Sequence, residues 1–270
     1  MQLYEHTLPG GARLVGYLRD TTDSMPGYDI RPAVVVLPGG GYAFCSPREA
    51  DPVATAFLAA GYAVFTLYYT VTEWAPAPLT TRPLADAARA LLHLRRHAAA
   101  LRIDPARVAI CGFSAGGHLA ASSALLTADV EAELGLQAGE TLADAQPNAV
   151  LLGYPVITAG PFAHKGSIEN LAGGDETLRA RMSLENQVAP GLPPFFIWHT
   201  VADTAVPVEN SLLLARALQR CQNRFELHLF ADCDHGSSVC TNEVGAPSTH
   251  NRAWLPLAID WLADRFDYHM

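Results

Sequence analysis

Short apolar runs alternate along the chain with longer stretches in which apolar residues recur at helical spacing. Runs of this kind predict strands that are buried on both faces, at residues 33–37, 62–69, 108–111, 148–152, 194–198 and 225–230. The spacing i, i+3, i+4 and i+7 predicts amphipathic helices around Leu84–Leu92 and Trp254–Leu262, and residues 209–220 also form a predicted helix. Strands that alternate with amphipathic helices predict an α/β protein with a doubly wound sheet.

The first part of the chain departs from this alternation. Residues 3–8 and 13–18 flank a Pro-Gly-Gly turn and predict a hairpin of two edge strands. The next helix has two alternative starts, because Ser46-Pro47-Arg48-Glu49 has the spacing of a capping box and Asp51-Pro52 offers a second N-terminus. The sequence does not decide between them, and the helix is expected to end at Gly61.

Composition narrows the class of partner. The chain has 270 residues, half of them hydrophobic, and no evident linker, so it can bury a sizeable core. The net charge of −9, without any run of Lys or Arg, argues against binding nucleic acid or an anionic membrane and favours a neutral small molecule.

The cysteines and the chain start bear on location and cofactors. The five cysteines are scattered without metal-ligand spacing, so we expect a reducing compartment and neither a metal nor another cofactor. The chain start does not resemble a signal peptide and no stretch of 18 apolar residues occurs, so a cytoplasmic protein is expected. The oligomeric state is open, with a homodimer as one expectation.

The most informative motif is Gly112-Phe113-Ser114-Ala115-Gly116. It lies between the predicted strand 108–111 and a helix of small residues, the setting of a G-x-S-x-G nucleophile elbow. In such a tight turn, a side chain two residues before or after the serine would collide with the backbone, which explains the glycines. Ser114 is therefore a candidate nucleophile, and the N–H of Ala115 is a candidate donor to an oxyanion.

Three glycines follow the predicted strand 33–37, in the sequence Pro38-Gly39-Gly40-Gly41. A flexible loop is one explanation for them. The alternative is a backbone that approaches a substrate closely enough for an N–H group to reach an oxyanion. Like the elbow, this segment falls at the carboxyl end of a predicted strand, where open α/β sheets bind ligands.

A nucleophilic serine needs a histidine to accept its proton and a carboxylate to orient that histidine, and both follow the serine in chain order. Among the ten histidines, His235 is favoured because it lies on a loop after the last predicted strand. Asp203 follows the strand 194–198 and is the preferred acid. Asp232 and Asp234 are rivals, although a carboxylate on the same short loop would have difficulty reaching the far side of the imidazole.

The motifs PGGGY, GFSAGGHLA, GYPV, SLENQV, DTAVPVENS and DHG carry a family resemblance. From about Ala33 to His235, the chain resembles α/β-hydrolases of the bacterial acetyl esterase and acetyl-xylan esterase type, which are related to hormone-sensitive-lipase-like esterases. The resemblance implies an α/β-hydrolase fold: a mostly parallel eight-stranded sheet with helices on both faces. It also implies one domain over residues 1–270, with residues 156–190 as a small cap-like insertion over the active site.

Carried over to this chain, the resemblance implies a nucleophile, its two partners and three oxyanion donors. These are Ser114, Asp203 and His235, with the N–H groups of Gly40, Gly41 and Ala115. One departure is Pro38, because many relatives have a histidine there that orders the glycine loop. The departure puts the support of the loop in question and leaves the chemistry intact.

The leading hypothesis is a serine carboxylesterase that removes short acyl groups, such as acetyl from acetylated xylo-oligosaccharides or other sugars, through an acyl-enzyme. An amidase or peptidase with the same triad is the first alternative. A catalytically silent binding protein is the second, although no triad residue or elbow glycine is missing. A metal-dependent hydrolase is disfavoured because no cluster of His and carboxylate residues has ligand spacing.

Overall fold

The computed structural model describes residues 1–21, Ser24 and 28–270 and contains one eight-stranded sheet. Its strands are β1 (Gln2–Thr7), β2 (Arg13–Leu18), β3 (Arg31–Leu37), β4 (Ala63–Tyr68), β5 (Ile103–Phe113), β6 (Ala149–Gly153), β7 (Phe195–Thr200) and β8 (Phe225–Phe230). They lie in the order β1-β2-β4-β3-β5-β6-β7-β8. Strands β3 to β8 are parallel and β2 is antiparallel to both neighbours, so the predicted mostly parallel sheet is confirmed.

Helices cover both faces of the sheet, as predicted. They are α1 (Asp51–Ala59), α2 (Arg82–Arg96), α3 (Ala98–Leu101), α4 (Ala115–Leu125), α5 (Lys165–Ala172), α6 (Glu176–Arg181), α7 (Glu209–Arg220) and α8 (Trp254–Phe266). Alternate side chains of β3 separate the two layers: Ala33, Val35 and Leu37 pack in the same core as α2, α4 and α7. Val34 and Val36 face the other core, with α1 and α8. None of the helices in the described part of the chain is long and apolar enough to cross a membrane.

Strand β2 is where the prediction from the hairpin pattern is wrong. Of the two hairpin strands, β1 alone lies at an edge of the sheet, because β2 also pairs with β4 along Arg13–Tyr17. Gly16 explains how this pairing is possible, since a Cβ there would lie 2.7 Å from the Phe65 ring of β4. The missing side chain leaves room for that ring between the strands.

The two alternative starts for the first helix are both used in part. Pro47–Glu49 forms one turn of 3-10 helix, and α1 begins after it at Asp51. Ser46 makes no capping hydrogen bond through its side chain. Helix α1 ends at Ala59, slightly before the predicted end, and Gly61 completes the turn with a positive φ of 93°.

The turn between β5 and α4 packs backbone closely against backbone. A Cβ at Gly112 would overlap the carbonyl oxygen of Gly116, and one at Gly116 would overlap those of Leu37 and Pro38. The structure thus confirms why the elbow requires glycine on both sides of Ser114. Ser114 itself has φ 53° and ψ −119°, an unfavourable conformation that this packing maintains.

We expect Gly112→Ala to lower the free energy of unfolding by about 3 kcal/mol, the upper end for overpacking, because the methyl group meets a carbonyl oxygen that cannot rotate away. Gly174→Ala is the matched control, since Gly174 has no neighbour within 4 Å of an added Cβ. Urea unfolding of both variants and the wild type checks this. Equal midpoints for all three proteins would contradict the packing argument.

Candidate active site

Three side chains from separate loops form one hydrogen-bonded row at the carboxyl ends of the strands. The Nε2 atom of His235 lies 2.8 Å from Ser114 Oγ, and its Nδ1 atom lies 2.6 Å from Asp203 Oδ2. Ser114 follows β5, Asp203 follows β7 and His235 follows β8. Because the strands are parallel, these loops meet at one edge of the sheet, which brings together residues that are far apart in sequence.

Asp203 is fixed by several donors. Its Oδ1 accepts hydrogen bonds from the backbone N–H groups of Ala205 (3.0 Å) and Val206 (2.8 Å). Buried His199 places its Nε2 atom 3.4 Å from Asp203 Oδ2. Burial alone would raise the pKa of Asp203, but the hydrogen bonds from His199, His235 and Val206 hold it well below its usual range. The carboxyl group is therefore an anion that keeps a proton on Nδ1 of His235 and leaves Nε2 free to accept one.

The rival acids lie elsewhere. Asp234 accepts hydrogen bonds from Thr204 Oγ1 (3.1 Å) and from the backbone N–H of His235 (2.9 Å), so its carboxylate organises the loop instead of facing the imidazole. Asp232 is exposed at the start of the same loop. Neither carboxylate forms an ion pair with the His235 ring in the described part of the chain.

The glycine loop and the nucleophile elbow border one cavity. Gly40 and Gly41 have positive φ values of 122° and 66° and line this cavity together with Ser114. Among the described residues, no acceptor is recorded for the N–H groups of Gly40, Gly41 or Ala115. Ala115 also begins α4, whose N-terminus favours negative charge. The role of these three groups as donors to an oxyanion stays a prediction.

The glycine loop is well supported although proline replaces the histidine of many relatives. The carbonyl of Pro38 accepts a hydrogen bond from Tyr69 Oη at 2.6 Å, and the N–H of Gly39 donates to Glu49 Oε2 at 2.8 Å. On the other side, Asn170 Nδ2 donates to the carbonyl of Gly41 at 2.9 Å. Side chains from three other segments thus fix the loop.

The cavity in front of Ser114 has a volume of about 370 Å³. One wall holds Phe44 and Arg48, and the opposite wall belongs to the segment 156–190 through His164, Gly166 and Asn170. His164 caps α5, and burial together with the nearby His235 lowers its pKa, so it lines the cavity as a neutral imidazole. The cavity walls therefore combine one aromatic ring with several hydrogen-bonding groups.

The segment 156–190 is tied to its surroundings by backbone and side-chain bonds. The N–H groups of Leu79 and Thr80 donate to the carbonyls of Asn170 and Leu171 at 2.9 and 2.8 Å. Buried His118, on α4, joins Tyr42 Oη at 2.8 Å to the carbonyl of Met182 at 3.0 Å, and burial lowers its pKa to about 4. His118 is therefore a neutral structural link between the glycine loop and this segment.

Two side chains that the sequence reasoning missed lie against this site. Glu49 is a buried carboxylate in the cavity wall, and Tyr154, directly after β6, places its ring 4.9 Å from the ring of His235. In the sequence, Glu49 stands out only as part of a capping box, and Tyr154 only as part of the GYPV motif. The segment around Glu49 also contains Ser46, Arg48 and Asp51, so one more carboxylate there gives no signal of a special role. The sequence places His199 only in a strand, and its contact with Asp203, 3.4 Å between Nε2 and Oδ2, comes from the structure.

The fold and this site define the class of protein: an α/β hydrolase with a serine at its nucleophile elbow. The sequence profile of the BD-FAE family matches residues 27–218. The chain therefore belongs to the BD-FAE family of α/β hydrolases.

Curated relatives include an endo-1,4-β-xylanase B of Butyrivibrio fibrisolvens, 38% identical over 79% of this chain, and an acetylxylan esterase of Xylanibacter ruminicola, 32% identical over 76%. The aligned parts are only 33% and 40% of those two proteins, so this chain corresponds to a minor portion of each.

Solved structures match over nearly the whole chain. An acetyl ester-xyloside bifunctional hydrolase from Caldicellulosiruptor lactoaceticus has a TM-score of 0.81 and 32% identity, and the match covers 97% of this chain and 91% of that one. A carboxylesterase from Lactobacillus plantarum has a TM-score of 0.85 and 26% identity, with 98% of each chain covered. The α/β-hydrolase fold expected from the motifs is confirmed.

We expect a p-nitrophenyl phosphonate to label the wild type at Ser114 and not to label Ser114→Ala. Asp203→Asn should slow labelling by about 10³ to 10⁴, because the amide no longer holds the tautomer of His235 that accepts a proton. Asp234→Asn is the control and should change the rate little, since its amide oxygen still accepts from Thr204. If Asp234→Asn is not labelled and Asp203→Asn is labelled at the wild-type rate, the assignment of Asp203 as the acid is wrong.

Proposed function

We propose that this protein is a serine carboxylesterase that hydrolyses short-chain acyl esters, with Ser114, His235 and Asp203 as its catalytic triad. The single observation that carries the proposal is the row from Asp203 Oδ2 through His235 to Ser114 Oγ, with spacings of 2.6 and 2.8 Å, beside three N–H groups without a recorded acceptor. A nucleophile, a base, an orienting carboxylate and oxyanion donors are the parts that acyl transfer requires.

In the proposed reaction, Ser114 Oγ attacks the carbonyl carbon of the ester as its proton passes to His235 Nε2. The carbonyl oxygen becomes an oxyanion and accepts hydrogen bonds from Gly40, Gly41 and Ala115. The bond to the alcohol then breaks, and the alcohol leaves with the proton from His235. Water, deprotonated by His235, attacks the acyl-enzyme, and release of the acid regenerates Ser114.

For the alcohol, we propose an acetylated sugar such as an acetylated xylo-oligosaccharide. The names of the relatives from Xylanibacter ruminicola and Caldicellulosiruptor lactoaceticus support this substrate class. The cavity offers Arg48, His164 and Asn170 for hydrogen bonds with hydroxyl groups. In this proposal, the segment 156–190 is a small cap over the site, within a single domain that spans residues 1–270.

The reaction is proposed to take place in a reducing cytoplasm. All five cysteines are free thiols, and Cys111 and Cys240 are buried. Burial raises the pKa of the Cys45 thiol to about 12 and that of Cys240 to about 11, so these side chains pack as neutral groups.

We expect kcat/KM on p-nitrophenyl esters to be highest from acetyl to butyryl and to drop by octanoyl. Each methylene that a groove buries contributes about 0.8 kcal/mol, so a long acyl groove would give a rising series. The cavity of about 370 Å³ has to hold both the acyl group and the alcohol, which leaves little room for a long acyl chain. A steady rise to octanoyl would contradict the proposal.

Acetate release from acetylated xylo-oligosaccharides, followed by NMR, tests the alcohol part. The matched amide, p-nitroacetanilide, should be a much poorer substrate than p-nitrophenyl acetate. Hydrolysis of simple esters without release of acetate from any acetylated sugar would support the proposed esterase activity and contradict the proposed sugar substrate. Efficient cleavage of the amide would favour an amidase instead.

A further inference from the structure

Glu49 is a buried carboxylate that the proposed mechanism does not use. Its exposed fraction is 3%, and it lies in the wall of the cavity that contains Ser114 and His235. It takes part in none of the ion pairs found among the described residues. Burying a carboxylate without a cation costs free energy unless specific donors compensate it, so the donors that it has indicate what it does.

The first donor belongs to the glycine loop. The N–H of Gly39 donates to Glu49 Oε2 at 2.8 Å. A Cβ at Gly39 would lie 2.7 Å from this oxygen and 2.9 Å from Ser114 Cβ, so the Gly39 backbone fits between the carboxylate and the nucleophile. Gly40 and Gly41 follow directly, and the direction of their N–H groups depends on how the Gly39 peptide is held.

The second donor belongs to the other half of the site. Tyr154 Oη donates to Glu49 Oε1 at 2.7 Å and accepts from the backbone N–H of Ser238 at 2.9 Å. Burial, with the nearby negative charge of Glu49, raises the pKa of Tyr154 well above its usual value, so the hydroxyl keeps its proton and remains a donor. Ser238 lies on the loop that carries His235, and the Tyr154 ring packs edge-on against the His235 ring.

A further bond closes this network. Ser238 Oγ donates to the carbonyl of Arg48, the residue before Glu49, at 2.6 Å. The Glu49 turn is therefore bonded to the histidine loop twice, once through Tyr154 and once through its own backbone. The same turn is bonded to the glycine loop through Gly39.

We propose that Glu49 is a positioning residue for the proposed esterase reaction: one carboxylate sets the glycine loop through Gly39 and the histidine loop through Tyr154, with Ser114 between them. This inference rests on the proposed function. The hydrogen bonds of the carboxylate go to Gly39 and Tyr154 and not to Ser114 or His235. Its effect is on the direction of the oxyanion donors and on the place of His235, both of which matter most in the transition state.

The test compares Glu49→Gln, Tyr154→Phe and the double variant in the full-length protein. In Glu49→Gln, the amide oxygen still accepts from Gly39, but the amide NH₂ cannot accept from Tyr154, which leaves a buried hydroxyl proton without an acceptor. We expect kcat on p-nitrophenyl acetate to fall about 10- to 100-fold with KM nearly unchanged, the pattern for an interaction that acts in the transition state. Glu131→Gln is the matched control, because the side chain of this exposed glutamate forms no hydrogen bond or ion pair among the described residues.

The double variant distinguishes a connected hydrogen-bond network from two residues that act independently. Removing the Tyr154 hydroxyl also removes the proton that Glu49→Gln leaves unsatisfied. The double variant should therefore be no slower than Glu49→Gln alone, whereas independent sites would give the product of the two single losses.

Affinity for a trifluoromethyl ketone, which adds to Ser114 and forms an oxyanion, gives a readout that needs no turnover. It should weaken in Glu49→Gln by about the same factor as kcat/KM, while acetate inhibits both proteins equally. A merely structural role would lower the melting temperature and leave this affinity unchanged, and that result would overturn the proposal, as would unchanged kcat or independent losses.

Two further outcomes need their own interpretation: a wild type without esterase activity, and a Glu49→Gln variant that does not fold. If the wild type binds the ketone but turns over no ester, the proposed function fails and the ketone titration still tests Glu49. If Glu49→Gln does not fold, Tyr154→Phe carries the test alone: a lower kcat and weaker ketone binding at wild-type melting temperature support the network, and wild-type values overturn it.

Discussion

The site depends on how closely helix α4 approaches the end of strand β3. Gly116 lies so near the carbonyls of Leu37 and Pro38 that even a methyl group would overlap them. The end of β3 continues directly into the glycine loop, so this approach brings the donors of Gly40 and Gly41 to the same place as Ser114. A wider spacing between helix and strand would leave each motif intact and separate the nucleophile from the groups that face it.

Near this contact, the buried carboxylate of Asp203 has several hydrogen-bond donors around it. Asp203 has two backbone donors on one oxygen and lies within reach of two imidazoles on the other. Such redundancy keeps the carboxylate ionised although it is buried, because hydrogen bonds to the charged form offset the loss of water. The imidazole of His235 is the exposed member of the row, with 21% of its side chain accessible. His235 and Ser114 both line the cavity, whereas Asp203 lies behind them.

The sequence predicts those parts of this arrangement that depend on residues close together in the chain. The buried runs and helical spacings predict the sheet and most helices, and the limits of β8 and α7 agree with the predicted ones. Glycines around Ser114 predict the elbow because a backbone clash is a short-range constraint. Strand β2 was misjudged because its second partner, β4, is paired through contacts far along the chain, where Gly16 accommodates Phe65.

The remaining site residues depend on tertiary contacts in the same way. Nothing near Glu49 in the sequence reveals that its carboxylate meets Gly39 on one side and Tyr154 on the other. The helices α5 and α6 were not predicted either, since residues 156–190 lack a long amphipathic repeat. Asp203 could be preferred over Asp234 only by an argument about reach, and the hydrogen bonds of Asp234 to Thr204 and to its own loop give the physical reason.

The bonds that attach residues 156–190 to the rest of the fold have a consequence for the fate of an acyl group. Asn170 is bonded to the glycine loop and to Leu79, and Met182 to His118, so the wall that this segment forms is part of the same rigid frame as the nucleophile. Enzymes that close a lid exclude water and so protect a reactive intermediate from hydrolysis. A movement that closed this wall over Ser114 would have to break the hydrogen bonds of Asn170 and Met182. In the proposed reaction, the acyl-enzyme therefore forms and breaks down beside a wall that is held in one place.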